Sequence, residues 1–316
     1  MEKELYFSTH LKNLLSMPNI LEVRNVSKAY DKHIALENVS ITINEGSVFG
    51  LLGPNGAGKT SLIRIINQIT APHSGPIMFD GKPLSPQHTA QIGYLPEERG
   101  LYKKIKVISQ LQYFAELRGL SRRDATDKAN YWLKKMNLYD VKNKKIEELS
   151  KGMQQKIQFI VAVIHSPEIL ILDEPFSGFD PVNAELLTEI ILELKAAGST
   201  IIFSTHRMES VEKLCDYMAM LNLSEKVLDG KVSEIKKQFA TGTFEITTVM
   251  PVDLNIEGVE CITGTINDSG YNQYTLKING MSHNDFLTKV MKQTELISFN
   301  PYIPSILDIF IQKAKN

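Results

Sequence analysis

The octapeptide GPNGAGKT at residues 53–60 constrains the fold of this chain more than any other stretch. It fits G-x-x-x-x-G-K-[ST], whose glycines let successive backbone N–H groups turn toward a phosphate without a Cβ in the way. Lys59 adds a positive charge for the β- and γ-phosphates, and the Thr60 hydroxyl suits Mg²⁺. An apolar run at 48–52 precedes the loop, and a helical pattern at 61–66 follows it. The sequence therefore predicts a nucleoside triphosphate site between a buried strand and a helix N-terminus.

Composition limits the classes of protein to which this chain can belong. The chain has 316 residues, of which 43% are hydrophobic, so we expect one large domain and a smaller one. Its 35 basic and 36 acidic residues give a net charge of −1. Since nucleic-acid-binding proteins usually carry a basic excess, this balance predicts no nucleic acid partner.

The sequence also predicts where the chain works. No stretch reaches the roughly 18 apolar residues that a membrane span needs. Glu2 and Glu4 stand where a signal peptide would be basic, so residues 1–19 are predicted to be an N-terminal extension. We expect a cytoplasmic protein that is peripheral on the inner face of the membrane only through a partner. Cys215 and Cys261 have no metal-ligand spacing, and each is predicted to fill the core.

The order of patterns predicts the fold. Residues 20–50 are β-rich, residues 105–148 have helical spacing, and apolar runs at 169–172 and 200–203 flank a helical segment. Strand–helix–strand at this scale indicates an α/β domain with a sheet core over residues 20–238, of which about 97–148 is a helical subdomain. Alternating runs and short helices in residues 239–316 predict a small accessory α+β domain.

Two carboxylates follow the buried run at 169–172. Asp173 and Glu174 emerge at its carboxyl end, the edge where open α/β sheets bind ligands. Asp173 is suited to hold Mg²⁺ through water, and Glu174 to polarise an attacking water. A third pattern, LSKGMQQ at 149–155, is weak alone and becomes specific because it lies just upstream of this pair.

These motifs together resemble the ATP-binding subunits of ABC transporters. The phosphate loop matches Walker A, the run ending in Glu174 matches Walker B, and LSKGMQQ matches the family signature. SGFD at 177–180 matches the D-loop, His206 the switch histidine, and Tyr30 the aromatic residue that stacks on adenine. The resemblance implies a P-loop NTPase of ABC type that binds ATP and Mg²⁺.

The resemblance also implies roles for individual residues. Glu174, His206 and Lys59 would be catalytic, and Thr60, Asp173 and Glu97 would hold Mg²⁺. Nucleotide contacts would come from Tyr30, Gly53, Pro54, Asn55, Gly56, Ala57, Gly58, Lys59, Thr60, Ser61, Ser150 and Gly152. Ser150 and Gly152 would cap the nucleotide of a second ATP-binding subunit, because the chain carries one motif set. Closure of that dimer would drive a separate integral membrane permease, with a regulatory or non-transport ABC ATPase as the alternative.

Three departures from the family pattern stand out. Glu97 replaces the usual glutamine, which keeps an oxygen ligand and adds a negative charge; Glu97 could equally be solvated in a loop. Lys151 and Met153 replace the usual glycine and glutamine of the signature. YLPEERGLY at 94–102 and the accessory domain resemble the sodium- and drug-export branch of bacterial ABC ATPases, which predicts export.

Overall fold

The computed structural model describes residues 18–98, 100–240 and 242–314. The predicted N-terminal extension lies outside these residues, except for Pro18 and Asn19. The chain divides into two compact units after Lys231, whereas the sequence placed the division after residue 238. The boundary differs because the helix 232–239 belongs with the second unit. Among the described residues, no helix combines the length and the apolar composition that crossing a bilayer requires.

The first unit contains two sheets. A four-stranded antiparallel sheet has the order β2-β1-β4-β5, and a six-stranded sheet has the order β10-β9-β3-β8-β7-β6. In the second sheet the pairs among β9, β3, β8, β7 and β6 are parallel, and β10 is antiparallel to β9. The strands are β1 Asn19–Tyr30, β2 His33–Asn44, β3 Val48–Leu52, β4 Ile77–Phe79, β5 Lys82–Pro83, β6 Ile92–Leu95, β7 Ile169–Asp173, β8 Thr200–Thr205, β9 Tyr217–Asn222 and β10 Glu225–Lys231.

Six helices of the first unit connect these strands within the described residues. They are α1 Lys59–Ile66, α2 Val107–Leu117, α3 Arg122–Lys135, α4 Lys151–Val163, α5 Pro181–Ala196 and α6 Met208–Leu214. Short 3₁₀ turns precede β6 and α4. The predicted helical region therefore holds α2 and α3, and the predicted mixed α/β fold is confirmed.

Buried apolar strands place the phosphate loop at the centre of the larger sheet. β3, β7 and β8 are buried along their whole length, as the continuous apolar runs in the sequence predicted. Leu52 pairs with Thr205, and Asp173 pairs with Ser204. Because these strands are parallel and adjacent, their carboxyl ends meet at one edge of the sheet.

The second unit is a small α+β domain. Its antiparallel sheet has the order β12-β13-β11-β14, and one face carries a core formed around Ile246, Leu276 and Phe286. Its elements are α7 Val232–Phe239, β11 Thr243–Thr248, β12 Val259–Ile266, β13 Asn272–Ile278, α8 His283–Met291, β14 Leu296–Pro301 and α9 Ile306–Ala314. The prediction that Cys261 fills the core is wrong, because β12 is an edge strand and exposes the thiol.

Acid should weaken the first unit through His165, which follows α4. Burial, together with the positive charges of Arg118 and Lys128, lowers the pKa of His165 to about 4. Between about pH 6.5 and pH 4, His165 binds a proton in the unfolded chain but not in the folded chain. The free energy of unfolding therefore falls as the pH drops from about 6.5 toward 4. We expect the melting temperature of His165→Gln to decline less over this range than that of the wild type, whereas the exposed-site variant His33→Gln follows the wild type. Parallel melting curves for all three proteins would contradict this assignment.

Candidate functional site

A cavity of about 410 Å³ opens at the edge where β3, β7 and β8 end. It brings together most of the residues that the sequence singled out, from five separate parts of the chain. The predicted residues that line it are Tyr30, Asn55, Gly56, Gly58, Lys59, Thr60, Ser61, Glu97, Asp173, Glu174 and His206. The cavity therefore brings the ammonium of Lys59 together with the carboxylates of Glu97, Asp173 and Glu174.

The phosphate loop has a backbone that only glycine fits at two positions. Gly58, just before α1, has a φ of 104°, and a Cβ there would lie 2.2 Å from the Ala35 carbonyl oxygen. Gly53 has a φ of 149°, and a Cβ there would lie 2.3 Å from the Leu221 carbonyl oxygen. Both glycines are therefore required for the loop to lie against the strands behind it.

Lys59 is held inside the loop. Its ammonium donates to the carbonyl oxygens of Gly53 and Pro54, at 2.8 Å and 3.1 Å. Burial lowers the pKa of Lys59, and the negative charges of Glu174, Asp173 and Glu97 oppose this effect. A phosphate in the cavity would give this buried ammonium an anionic partner in place of neutral carbonyl groups.

Asp173 is the buried carboxylate of the site. The Ser204 hydroxyl donates to its Oδ1, whereas Oδ2 is buried without a hydrogen-bond partner among the described residues. Burial raises the pKa of Asp173, and the hydroxyls of Ser204 and Thr60 and the charge of Lys59 oppose the rise. A buried oxygen with an unused lone pair beside the Thr60 hydroxyl fits a cation site, because hard cations such as Mg²⁺ prefer oxygen ligands. The donor set present thus suits Mg²⁺ bound through Thr60 and Asp173.

Glu174 and His206 form a hydrogen-bonded pair. The His206 Nδ1 lies 2.8 Å from the Glu174 Oε1, and the His206 backbone N–H donates to the same oxygen at 3.1 Å. The Glu174 side chain is 12% exposed, whereas the His206 ring is 54% exposed. Glu174 has a φ of 50°, a left-handed conformation that is uncommon outside glycine. This conformation directs the chain away from β7 immediately after the buried strand.

Tyr30 and Glu97 lie at the periphery of the cavity. Tyr30 ends β1 and is 41% exposed, and the Lys28 ammonium lies 5.1 Å from its ring centroid. Glu97 follows β6 and lines both this cavity and a neighbouring one of about 360 Å³. Burial and the negative charges of Asp173 and Glu97 raise the pKa of Tyr94, in that second cavity, to about 12. Glu97 and Asp173 therefore line the same two cavities.

Ser150 and Gly152 do not line the cavity in the described part of the chain. Ser150 caps α4, and its hydroxyl accepts from the Met153 N–H at 3.3 Å. A Cβ added to Gly152 would meet no atom within 4 Å, so the start of this helix has open space beside it. Farther along the helix, the Gln155 amide donates to the Ser177 carbonyl, which links α4 to the segment after Glu174.

Sequence reasoning missed two residues of the lining and assigned a third, Ser177, only to the D-loop. His33 and Ala35 stand at the start of β2, and Ser177 follows Glu174. The Tyr30↔His33 pair closes a tight hairpin between β1 and β2, which brings His33 beside Tyr30. Had the sequence been interpreted as a β-hairpin that turns at Asp31 and Lys32, His33 and Ala35 would have been predicted to line the cavity.

Comparison with known proteins identifies the family. Residues 36–177 match the family described as ABC transporter. The uncharacterized ABC transporter ATP-binding protein YhaQ of Bacillus subtilis is 50% identical over 220 residues, which are 70% of this chain and 74% of that protein. This chain belongs to the ABC transporter ATP-binding proteins.

Other comparisons extend this ABC assignment. Nod factor export ATP-binding protein I of Cupriavidus metallidurans is 35% identical over 69% of this chain and 73% of that protein. A solved ATP-binding subunit of an ABC transporter superimposes with a TM-score of 0.66 at 32% identity, over 70% of this chain and 93% of that one. Residues 230–314 match the C-terminal domain of DrrA1-3-like ATP-binding proteins, which makes the second unit of this ABC protein a DrrA-like domain.

Proposed function

We propose that this chain binds and hydrolyses ATP and thereby drives export through a separate membrane permease. The observation that carries the proposal is the convergence of Lys59, Asp173 and the Glu174–His206 pair in one cavity. Export is supported by the similarity to a protein named for Nod factor export. The chain would act on the cytoplasmic face of the membrane, held there by the permease.

The chemical roles follow from the groups in the cavity. Lys59 and the loop N–H groups would bind the β- and γ-phosphates, with the Tyr30 ring against the adenine. Glu174 is positioned to accept a proton from a water molecule in the cavity, which is the work of a general base. Bound Mg²⁺, held by Thr60 and Asp173, would neutralise charge that develops on the phosphates.

His206 would link the γ-phosphate to Glu174 through hydrogen bonds from its two ring nitrogens. A neutral imidazole has one N–H, so a ring that donates from Nδ1 to Glu174 can donate from Nε2 to a phosphate only when both nitrogens are protonated. A doubly protonated ring would join the carboxylate and the phosphate. This arrangement would hold the base in place while the nucleotide is intact.

A second subunit would complete the site. In the described part of the chain, Ser150 and Gly152 do not line their own cavity. Ser150 is exposed and Gly152 has open space beside it, which suits contact with the nucleotide of a second copy or a related subunit. Ligand-dependent closure of such a pair is a conformational step that excludes water and assembles the catalytic groups. The permease would convert closure into movement of its substrate.

Hydrolysis by the purified chain tests the proposal. We expect Mg²⁺-dependent release of phosphate from ATP, with ATP-dependent dimers detected by light scattering. Tight ATP binding without turnover would instead support the alternative, a regulatory ABC subunit. ATP hydrolysis in cells that does not depend on any membrane protein would support a non-transport ABC ATPase.

Replacement of Glu97 with glutamine should change the Mg²⁺ requirement. The carboxylate of Glu97 contributes to the negative potential at Lys59, so its removal should raise the Mg²⁺ concentration for half-maximal ATPase several-fold. The measurement is a Mg²⁺ titration at fixed ATP, with the exposed-loop variant Glu98→Gln as the matched control. An unchanged Mg²⁺ dependence in Glu97→Gln would favour a solvated loop residue.

A further inference from the structure

A second cavity, of about 420 Å³, lies between α5 and α6 and takes no part in the proposed chemistry. Its floor is apolar: the rings and methyl groups of Phe176, Leu214 and Ala184 line it, and the first two are 7% and 6% exposed. Its volume falls in the range of roughly 300–1,000 Å³ that small-molecule sites occupy. We call it the α5–α6 cavity.

The helical periodicity of the two helices builds this cavity. Pro181, Ala184, Glu185 and Thr188 of α5 are spaced at i, i+3, i+4 and i+7, so they share one face. Ser210, Lys213 and Leu214 of α6 are spaced at i, i+3 and i+4 across from them, and Arg207 is the N-cap residue of that helix. The cavity is therefore a feature of two ordered elements rather than of a loop.

The rim of the α5–α6 cavity carries an excess of positive charge. Arg207 and Lys213 line it together with one acidic residue, Glu185. Among the described residues, neither cation has a side-chain hydrogen bond or an ion pair. The backbone N–H of Arg207, by contrast, donates to the Thr205 hydroxyl at 3.0 Å. Two such cations above an apolar floor complement a molecule with an anionic head and an apolar body.

We propose that the α5–α6 cavity binds a small anionic amphiphile, with its carboxylate, sulfonate or phosphate between Arg207 and Lys213 and its apolar part on Phe176 and Leu214. A bare inorganic anion would leave the apolar floor uncovered, and a neutral apolar molecule would leave both cations without partners. The site is separate from the nucleotide cavity, although the floor residue Phe176 follows Glu174 closely in the chain.

The test uses two fluorescent probes of similar shape and different charge. 8-Anilinonaphthalene-1-sulfonate carries the anionic head, and N-phenyl-1-naphthylamine lacks it. The full-length chain is titrated with each probe in the presence of saturating Mg·ATP, so that the nucleotide cavity is filled. We expect saturable binding of the sulfonate at least tenfold tighter than binding of the neutral probe, and displacement of the sulfonate by decanoate but not by decylamine.

Three variants locate the binding. Arg207→Gln with Lys213→Gln should weaken binding of the sulfonate by about tenfold or more and remove its advantage over the neutral probe. Ala184→Trp, which fills the cavity and keeps both cations, should also block binding. Lys103→Gln with Lys104→Gln removes two exposed charges elsewhere and should bind as the wild type does. Wild-type affinity in the Arg207/Lys213 variant, equal binding of the two probes, or sulfonate binding that is lost once saturating Mg·ATP is present would overturn the proposal.

Discussion

Replacement of Glu174 with glutamine is expected to slow ATP hydrolysis by about 100-fold or more, because the amide cannot accept a proton from water. Nucleotide affinity should stay within a few-fold of the wild type, since Lys59 and the loop backbone are unchanged. The carbonyl oxygen of the introduced amide can still accept from the His206 backbone N–H, which donates to the Glu174 carboxylate at 3.1 Å in the wild type. The measurement is steady-state phosphate release, combined with binding of a fluorescent ATP analogue.

The same variant should remain dimeric once ATP is bound. Hydrolysis is the step that removes the γ-phosphate, so a chain that cannot hydrolyse should accumulate the closed pair in Mg·ATP, as detected by light scattering. Glu209→Gln is the matched control, because it makes the same substitution at an exposed position on α6. Wild-type turnover in Glu174→Gln would show that the general base is another group.

Replacement of Lys59 with alanine should weaken ATP binding by about 100-fold or more. A charge-assisted hydrogen bond contributes about 1.5–3 kcal/mol, and each 1.4 kcal/mol is tenfold in affinity. Loss of the buried ammonium would also leave the phosphate close to the carboxylates of Asp173 and Glu174 without its principal counter-charge. Isothermal titration with ATP and Mg²⁺ measures the effect directly.

Two further variants test whether the effect of Lys59→Ala comes from the lost charge rather than from lost packing or from removal of any lysine. Lys59→Met keeps most of the apolar stem in the buried position and should lose affinity as Lys59→Ala does, which separates the charge from the packing. Lys104→Ala removes an exposed ammonium and should bind ATP normally. Unchanged affinity in both Lys59 variants, with melting curves like that of the wild type, would contradict the proposed nucleotide site.

Local sequence was enough to predict the elements that carry the site. The apolar runs at 48–52, 169–172 and 200–203 became the buried strands β3, β7 and β8. Such runs are decisive because a strand buried on both faces has no polar positions to obscure its pattern. The small second unit was predicted from sequence runs that alternate apolar and polar residues with a period of two.

Contacts between segments that are distant in the chain could not be predicted from local sequence. The sequence placed Glu174 and His206 in one site but gave no indication that the carboxylate accepts from both the ring and the backbone of His206. His33 and Ala35 entered the cavity only through the β1–β2 hairpin. The boundary between the units and the exposure of Cys261 also depended on which elements pack together.

The sequence by itself determined the phosphate loop, the carboxylate pair after β7 and the family, because each depends on residues that are consecutive in the chain. The tertiary structure decided which polar groups meet and which stay without a partner. Within the described residues, Glu174 and His206 form a pair, whereas the Oδ2 of Asp173 and the rim cations of the α5–α6 cavity have no side-chain partner. The reason is physical. Hydrogen bonds and cavities depend on distances of a few ångströms between segments, and those distances are fixed only when the strands and helices pack.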